Sequence, residues 1–202
     1  HDDADLAVTI PQLSLAKMRN GGAACTSANR IFVQRGIADK FIAEMTKSMS
    51  SYVMGRGIEA TTTLGAYVSM KERNKIADIV DESIAAGAKV EVGGVKPEGE
   101  GAFYPATVLV VKKDNPILLH EIFGPVAPIV IFDTDEEGIE LANDTEFGLI
   151  SYVFSSNLTR ALRTAEAMES GMVAINKGVI SDPAAPFGGV KQSGLGREGG
   201  FD

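Results

Sequence analysis

PVAPIVIF, residues 125–132, is apolar almost throughout and does not alternate between apolar and polar residues. This composition is typical of a strand that is buried on both faces, because helices then cover both sides of its sheet. Further short runs with strand-like composition occur along the chain. They cover residues 29–34, 89–94, 107–111, 148–154 and 172–176.

Helix-like segments lie between these strands. Apolar residues recur at helical spacing near 38–53, and a second helix begins at Ser69, which has capping-box spacing to Glu72, and ends at Gly87. Two more helices are predicted near 135–143 and 157–169. Repeated βα units predict the α/β class, with a three-layer, mostly parallel sheet flanked by helices.

The composition excludes several classes of function. The chain has 202 residues, which fits one domain, and its net charge of −8 gives no electrostatic reason to bind nucleic acid or an anionic membrane. No apolar run approaches the roughly 20 residues that a membrane helix needs. A single cysteine cannot form an internal disulfide, so we expect a reducing, cytoplasmic setting.

GLGREG, residues 194–199, matches the G-x-G-x-x-G fingerprint of dinucleotide-binding proteins. That fingerprint binds a dinucleotide only where it links a strand to a helix N-terminus, with an acidic residue about 20 positions further on. Here it follows Lys-Gln-Ser, and only three residues come after it. We therefore predict a surface loop that does not bind a dinucleotide.

Cys25 is the strongest candidate for chemistry. It follows two glycines in RNGGAACTSANR (19–30) and precedes a predicted strand, which would place it on a loop at the mouth of a sheet. A cysteine there can act as a nucleophile if a cation or base favours its thiolate. Arg19 could supply such a charge or bind substrate. The alternatives are a small buried hydrophobic side chain for Cys25 and a solvated surface charge for Arg19.

HEIFGPVAPIVIF (120–132) places His120, Glu121 and Phe123 just before the buried strand. A carboxylate beside an exposed aromatic ring could bind a ligand that carries hydroxyls and a ring, although a loop charge and a core phenylalanine fit the spacing equally well. A metal site is not expected, because one cysteine and two histidines form no ligand cluster of recognisable spacing.

Four segments together resemble the aldehyde dehydrogenase family, and within it the succinate-semialdehyde dehydrogenases. They occur in the family's order and spacing across nearly the whole chain. They are DDADL (2–6), KMRNGGAACTSANRIFVQ (17–34), HEIFGPVAPIVIF (120–132) and GMVAINKGVISDPAAPFGGVKQSGLGREG (171–199). DDADL is similar to the acidic stretch after the family's Glu-Leu-Gly-Gly motif, so the resemblance implies that the chain begins just after it.

The resemblance implies a catalytic role for Cys25. It would attack an aldehyde to give a thiohemiacetal, hydride would pass to NAD or NADP, and water would hydrolyse the resulting thioester. The backbone N–H of Cys25 would be one oxyanion donor. Glu121 would bind the nicotinamide ribose, and Phe123 would pack near the nicotinamide.

The resemblance also implies how the substrate is bound. In the semialdehyde branch an Arg six residues before the cysteine binds the substrate carboxylate, which corresponds to Arg19, and a Ser in the Gly-x-Ile-Ser run assists it, which corresponds to Ser181. Phe187 would line the substrate site, and Asn176 matches a motif position that supports it.

The chain departs from the family pattern at several positions. Ala23 replaces the usual Gln or Glu, His120 replaces the first Glu of the usual Glu-Glu pair, and Ser27 stands where some relatives have a second cysteine. By the resemblance, the general-base Glu, the side-chain oxyanion Asn and most of the cofactor-binding domain lie upstream, and the C-terminal oligomerisation strand is also absent. Residues 1–202 are therefore expected to be a catalytic-domain fragment of a larger homo-oligomeric enzyme, inactive alone.

Two other functions remain open from the sequence. The parent enzyme could act on another class of aldehyde, because a second carboxylate-binding Arg would lie outside the chain. Alternatively, Cys25 and His120 could form the nucleophile–base pair of a hydrolase or acyl-transfer domain.

Overall fold

The computed structural model describes residues 1–200. Its helices are α1 (Leu6–Met18), α2 (Arg35–Ser50), α3 (Met70–Ala85), α4 (Asp135–Asn143) and α5 (Leu158–Ala167). Its strands are β1 (Ile31–Gln34), β2 (Lys89–Val92), β3 (Thr107–Val111), β4 (Val126–Phe132), β5 (Ile150–Val153) and β6 (Met172–Ile175). Every predicted helix and strand is present, with boundaries shifted by a few residues.

The main sheet has the strand order β1-β4-β3-β2. β4 pairs in parallel with β1 on one side and with β3 on the other, while β2 is antiparallel to β3. Six of the seven residues of β4 are buried, as its uniformly apolar sequence predicts. β2 ends at Val92 rather than at residue 94, because Gly93 and Gly94 turn the chain with φ angles of 72° and 77°.

α-Helices cover both faces of this sheet, which confirms the predicted three-layer arrangement. α1 and α2 pack on one face, against residues such as Val108 and Ala127. α3 packs on the other, against their sequence neighbours Leu109 and Val126. Successive strand residues point to opposite faces, so each strand contributes to both cores.

β5 and β6 form a separate two-stranded parallel sheet. Between residues 1 and 200, β1 pairs only with β4, and β5 pairs only with β6. Residues of β1 and β5 line the same cavity, whose volume is about 420 Å³. The division into two sheets was not expected, because an alternating pattern predicts strands without specifying their partners.

α1 was missed by the sequence reading, because Pro11 lies inside it and proline normally interrupts a helix. The helix forms because Asp5 caps it, accepting a hydrogen bond from Ala7 N at 2.9 Å, and because Leu6, Ile10 and Leu13 share a buried face.

The two aspartates before this cap anchor the start of the chain to the β5–α5 region. Arg160 Nη1 lies 2.7 Å from Asp2 Oδ1 and 3.3 Å from Asp3 Oδ1. Asp3 also accepts hydrogen bonds from the hydroxyl of Ser155 and the backbone N–H of Asn157. The acidic stretch therefore has a structural role, since it ties β5 and α5 to α1.

Within residues 1–200, no helix has both the length and the apolar composition needed to cross a membrane.

Candidate active site

Cys25 lies exposed in a tight turn between α1 and β1. The turn covers 24–27 and is closed by a hydrogen bond from Ser27 N to Ala24 O at 2.9 Å. Before it, Asn20, Gly21 and Gly22 have positive φ angles of 54°, 64° and 79°, which reverse the chain after α1. The surface position predicted for Cys25 is confirmed, and its alternative as a buried hydrophobic side chain is wrong.

The loop before Cys25 is in direct backbone contact with the segment that carries Glu121 and Phe123. A Cβ atom on Gly22 would overlap the carbonyl group of Gly124 and lie 3.0 Å from Pro125 N. Further along, Arg30 Nη1 donates a hydrogen bond to Leu118 O at 3.2 Å. These contacts bring together two segments that are about 100 residues apart in the sequence.

Glu121 is exposed and lines the same cavity as Cys25. Phe123 is 41% exposed although it is aromatic, because the intervening Ile122 is the residue that enters the core. An exposed carboxylate can accept hydrogen bonds from ribose hydroxyls, and an exposed ring offers a flat apolar surface to a nicotinamide. Both side chains therefore fit the nicotinamide end of the cofactor.

His120 is exposed, and its backbone N–H donates to Ile117 O at 3.3 Å. Within residues 1–200, no hydrogen bond joins His120 to Cys25. The contact that a Cys–His hydrolase would need is therefore not present in the described structure. The same residues contain no group of three or more histidine, cysteine or acidic side chains placed to hold a metal ion.

Arg19 is exposed, one residue beyond the end of α1. Tyr152 of β5 lines the same cavity as Cys25, and its hydroxyl donates a hydrogen bond to Thr26 O at 2.8 Å. Burial raises the pKa of the Tyr152 phenol to about 12, and the charges of Arg19 and Cys25 also act on it, in opposite directions. The sequence did not predict Tyr152 as a site residue, because its position in GLISYVF (148–154) is typical of any strand residue.

Ser181, Phe187 and Asn176 all follow β5. Ser181 is exposed on the loop after β6, and no hydrogen bond within residues 1–200 joins it to Arg19 or Cys25. Phe187 is partly buried and pairs through its backbone with Glu198. Asn176, at φ 53°, accepts a hydrogen bond from Ser155 N and donates one to Ser155 O, so it joins the ends of β5 and β6.

The glycine-rich segment 194–199 is an exposed loop, with positive φ angles at Gly194, Gly196 and Gly199. It follows a short 3-10 helix at Lys191–Ser193 rather than a strand. The strand-to-helix context of a dinucleotide fingerprint is absent from the described part of this segment.

Comparison with known proteins identifies the family. The sequence profile of the aldehyde dehydrogenase family matches residues 1–202. This chain belongs to the aldehyde dehydrogenase family. The fold, the exposed cysteine turn and its contact with the segment of Glu121 can therefore be interpreted as parts of an aldehyde dehydrogenase.

The similar proteins include enzymes for semialdehydes. The chain is 46% identical to a succinate-semialdehyde dehydrogenase of Paenarthrobacter nicotinovorans, covering 100% of this chain and 45% of that protein. It is 43% identical to a glutarate-semialdehyde dehydrogenase of Pseudomonas putida, covering 98% and 41%. A solved succinic semialdehyde dehydrogenase of Streptococcus pyogenes, in complex with NADP+, aligns with a TM-score of 0.94 and 37% identity over 99% of this chain and 44% of that one. The chain thus spans less than half the length of the relatives it matches.

Proposed function

We propose that the whole protein oxidises succinic semialdehyde to succinate with NAD or NADP, and that residues 1–202 form most of its catalytic domain. The observation that supports this proposal is the exposed Cys25 on a turn that lines one cavity with Glu121, with the exposed Arg19 six residues earlier at the end of α1. A guanidinium group there can bind the carboxylate of a short semialdehyde while its aldehyde carbon reaches the thiol.

In the proposed reaction the thiolate of Cys25 attacks the aldehyde carbon, and the electron pair of the C=O bond moves to oxygen. The backbone N–H of Cys25 stabilises this oxyanion. When bound, the cofactor supplies the acceptor for the hydride that leaves the same carbon. The C=O bond re-forms, which leaves a thioester on Cys25. Water then adds to the thioester, the C–S bond breaks, and succinate leaves with the thiol restored.

The residues of this chain divide the remaining work. Arg19 and Ser181 bind the substrate carboxylate, and Phe187 lines the substrate site. When the cofactor is bound, Glu121 would accept hydrogen bonds from its ribose, and Phe123 would pack beside the nicotinamide. The general base for thioester hydrolysis and most of the cofactor site come from the part of the protein outside this chain.

The test is Arg19→Ala and Ser181→Ala in the full-length enzyme, with succinic semialdehyde and butanal as substrates. A charge-assisted hydrogen bond contributes about 1.5–3 kcal/mol, so its loss lowers kcat/KM for succinic semialdehyde by about 10- to 150-fold. The loss falls mostly on KM, because the carboxylate is bound equally in the ground and transition states. Butanal lacks the carboxylate, and its kcat/KM is unchanged.

Arg19→Lys is the matched control, because lysine keeps the charge and loses the planar pair of donors. We expect an intermediate loss of kcat/KM for this variant. An equal loss on both aldehydes contradicts the carboxylate role and indicates that Arg19 supports the cysteine turn. No loss on either aldehyde means that Arg19 is a solvated surface charge.

Glutarate semialdehyde is the second candidate substrate, supported by the Pseudomonas putida relative at 43% identity. Both semialdehydes carry a carboxylate that Arg19 can bind. Glutarate semialdehyde has one more methylene between the aldehyde and the carboxylate, so its aldehyde carbon lies further from the bound carboxylate. The ratio of kcat/KM for the two semialdehydes decides between them, and an extra methylene is worth about 1–3 kcal/mol.

A further inference from the structure

Tyr152 connects the cysteine turn to a distant part of the fold. Its hydroxyl donates a hydrogen bond to the carbonyl oxygen of Thr26, the residue after Cys25, at 2.8 Å. The two residues are 126 positions apart, and Tyr152 belongs to the β5–β6 sheet, whereas the turn leads into the main sheet. This contact therefore relates the orientation of the turn to the position of β5.

The other hydrogen bonds of the turn are local. Ser27 N donates to Ala24 O within the turn, and the Ser27 hydroxyl donates to Lys17 O at 3.1 Å. Within residues 1–200, Tyr152 makes the only hydrogen bond that reaches 24–27 from outside 17–27. Of the three residues with positive φ before the turn, Gly22 packs against the backbone of Gly124, but within residues 1–200 none of the three makes a hydrogen bond to another element.

The β5 side of the contact is held firmly. Tyr152 is paired in register with Ala174 of β6, and the side chain of Asn176 fastens Ser155, just beyond β5, through two hydrogen bonds. Thr26 is buried, so if the Tyr152 hydroxyl were removed, water could not readily replace it as the hydrogen-bond donor to the Thr26 carbonyl. The phenol also stays protonated in the neutral range, since its pKa is raised to about 12, mainly by burial.

We propose that Tyr152 is a positioning residue for the nucleophile, whose hydroxyl fixes the turn that carries Cys25 by binding the Thr26 carbonyl. The Thr26 carbonyl belongs to the Thr26–Ser27 peptide, one peptide beyond Cys25 in the same tight turn. Fixing it limits how the turn can reorient, and with it the direction of the Cys25 side chain and of its backbone N–H. Both groups must meet the aldehyde in one geometry, the thiolate at carbon and the N–H at oxygen. The proposal rests on the proposed function for Cys25.

The first test uses Tyr152→Phe in the 202-residue chain, which removes only the hydroxyl. Hydrogen exchange of the Ser27 amide, which donates to Ala24 O within the turn, is measured by NMR or mass spectrometry and becomes roughly five-fold faster, corresponding to about 1 kcal/mol for one hydrogen bond. Tyr52→Phe is the matched control, because Tyr52 is partly buried at the end of α2 and its side chain makes no hydrogen bond within residues 1–200. Unchanged exchange at Ser27, or equal acceleration throughout β5 and β6, overturns the proposal.

The second readout is the pH dependence of Cys25 alkylation by iodoacetamide in the same variants. The midpoint stays where it is in the unmodified chain, because the hydroxyl donates to the Thr26 carbonyl rather than to the sulfur. A midpoint raised in Tyr152→Phe but not in Tyr52→Phe shows that the hydroxyl instead stabilises the thiolate, which overturns the positioning role.

In the full-length enzyme, Tyr152→Phe lowers kcat for succinic semialdehyde and butanal by the same factor and leaves KM nearly unchanged. An unchanged kcat overturns the proposal even if exchange is faster. The two readouts on the 202-residue chain involve no aldehyde. Failure of the proposed substrate therefore leaves them intact, and failure of the Tyr152 contact leaves the substrate assignment intact.

Discussion

At the scale of single residues, the buried side chain of Lys17 is the least expected feature. Lys17 follows Leu6, Ile10 and Leu13 on the buried face of α1, and it is fully buried. Within residues 1–200 its Nζ has no hydrogen-bond partner. Burial lowers the pKa of the ammonium group to about 7, because the charged form loses its hydration.

This burial makes folding stability depend on pH. Between about pH 7 and pH 10.5 the unfolded chain keeps a proton on Lys17 that the folded chain has released. The free energy of unfolding therefore rises with pH across this window, by at most about 1.4 kcal/mol per pH unit. Urea unfolding at pH 7, 8 and 9 measures this slope.

Lys17→Met is expected to remove most of the slope, leaving only the part below about pH 8 that comes from the buried N-terminal amine of His1, whose pKa is also lowered by burial. It should stabilise the chain most at pH 7, where burying the ammonium group costs most. Lys40→Met, at an exposed position of α2, is the control and keeps the slope. If Lys17→Met retains the pH dependence of the unmodified chain, Lys17 is not the group that titrates.

At the scale of elements, the contact between Gly22 and Gly124 determines how the cysteine turn meets the segment of Glu121. The two segments could not approach so closely if Gly22 carried a side chain, because its Cβ would overlap the Gly124 carbonyl. The nucleophile and the proposed nicotinamide site are therefore related through backbone atoms, which are stiffer than side chains.

Three glycine-to-alanine variants separate the effect on stability of backbone strain from that of steric overlap with Gly124. Gly57→Ala adds a Cβ in open space without a positive φ, so its stability should change by less than about 0.5 kcal/mol. Gly21→Ala adds the strain of a left-handed residue, about 1–2 kcal/mol, with only an ordinary contact to Leu64 at 3.4 Å.

Gly22→Ala adds the same strain and also overlaps the Gly124 carbonyl, so it should destabilise most. Urea unfolding gives the three stabilities, and activity of the full-length variants reports on the site. Equal losses for Gly21→Ala and Gly22→Ala would show that the backbone contact can relax without cost.

At the scale of the whole molecule, the described chain leaves strand edges and apolar surface open. The sides of β1 and β5 that face their shared cavity have no strand partner within residues 1–200. Large apolar side chains are also exposed, among them Ile58 at 81% and Val68 at 90%. Unpaired edges and apolar patches favour association with other chains.

We therefore expect the 202-residue chain to self-associate as its concentration rises, to bind a hydrophobic dye and to produce no NADH or NADPH from succinic semialdehyde. Light scattering, dye fluorescence and absorbance measure these three properties. The full-length protein, in which we expect the remaining part to cover these surfaces, is the control. If the 202-residue chain stays monomeric at all concentrations and binds no dye, the expected association through open strand edges is wrong. If it reduces the cofactor steadily, the expectation that essential active-site residues lie outside this chain is wrong.

The sequence predicted the elements of this fold well, because local patterns determine them. The uniformly apolar run of β4 indicated a strand covered on both faces, and the spacing of Ser69 and Glu72 located the start of α3, where Ser69 accepts the predicted hydrogen bond from Glu72 N. The exposed position of Cys25 also followed from local features, since paired glycines before a strand place a residue on a loop.

Only the tertiary structure decided which distant residues meet. Nothing in the spacing of Tyr152 indicates that its hydroxyl binds Thr26, and nothing near Lys17 indicates that its amine is buried. The separation of β5 and β6 from the main sheet likewise depends on which strands pair with each other, and the pattern within a strand does not specify this. The physical reason is the same in each case: periodicity within a segment reports which face is buried, while the atoms that cover that face belong to other segments and are selected by packing.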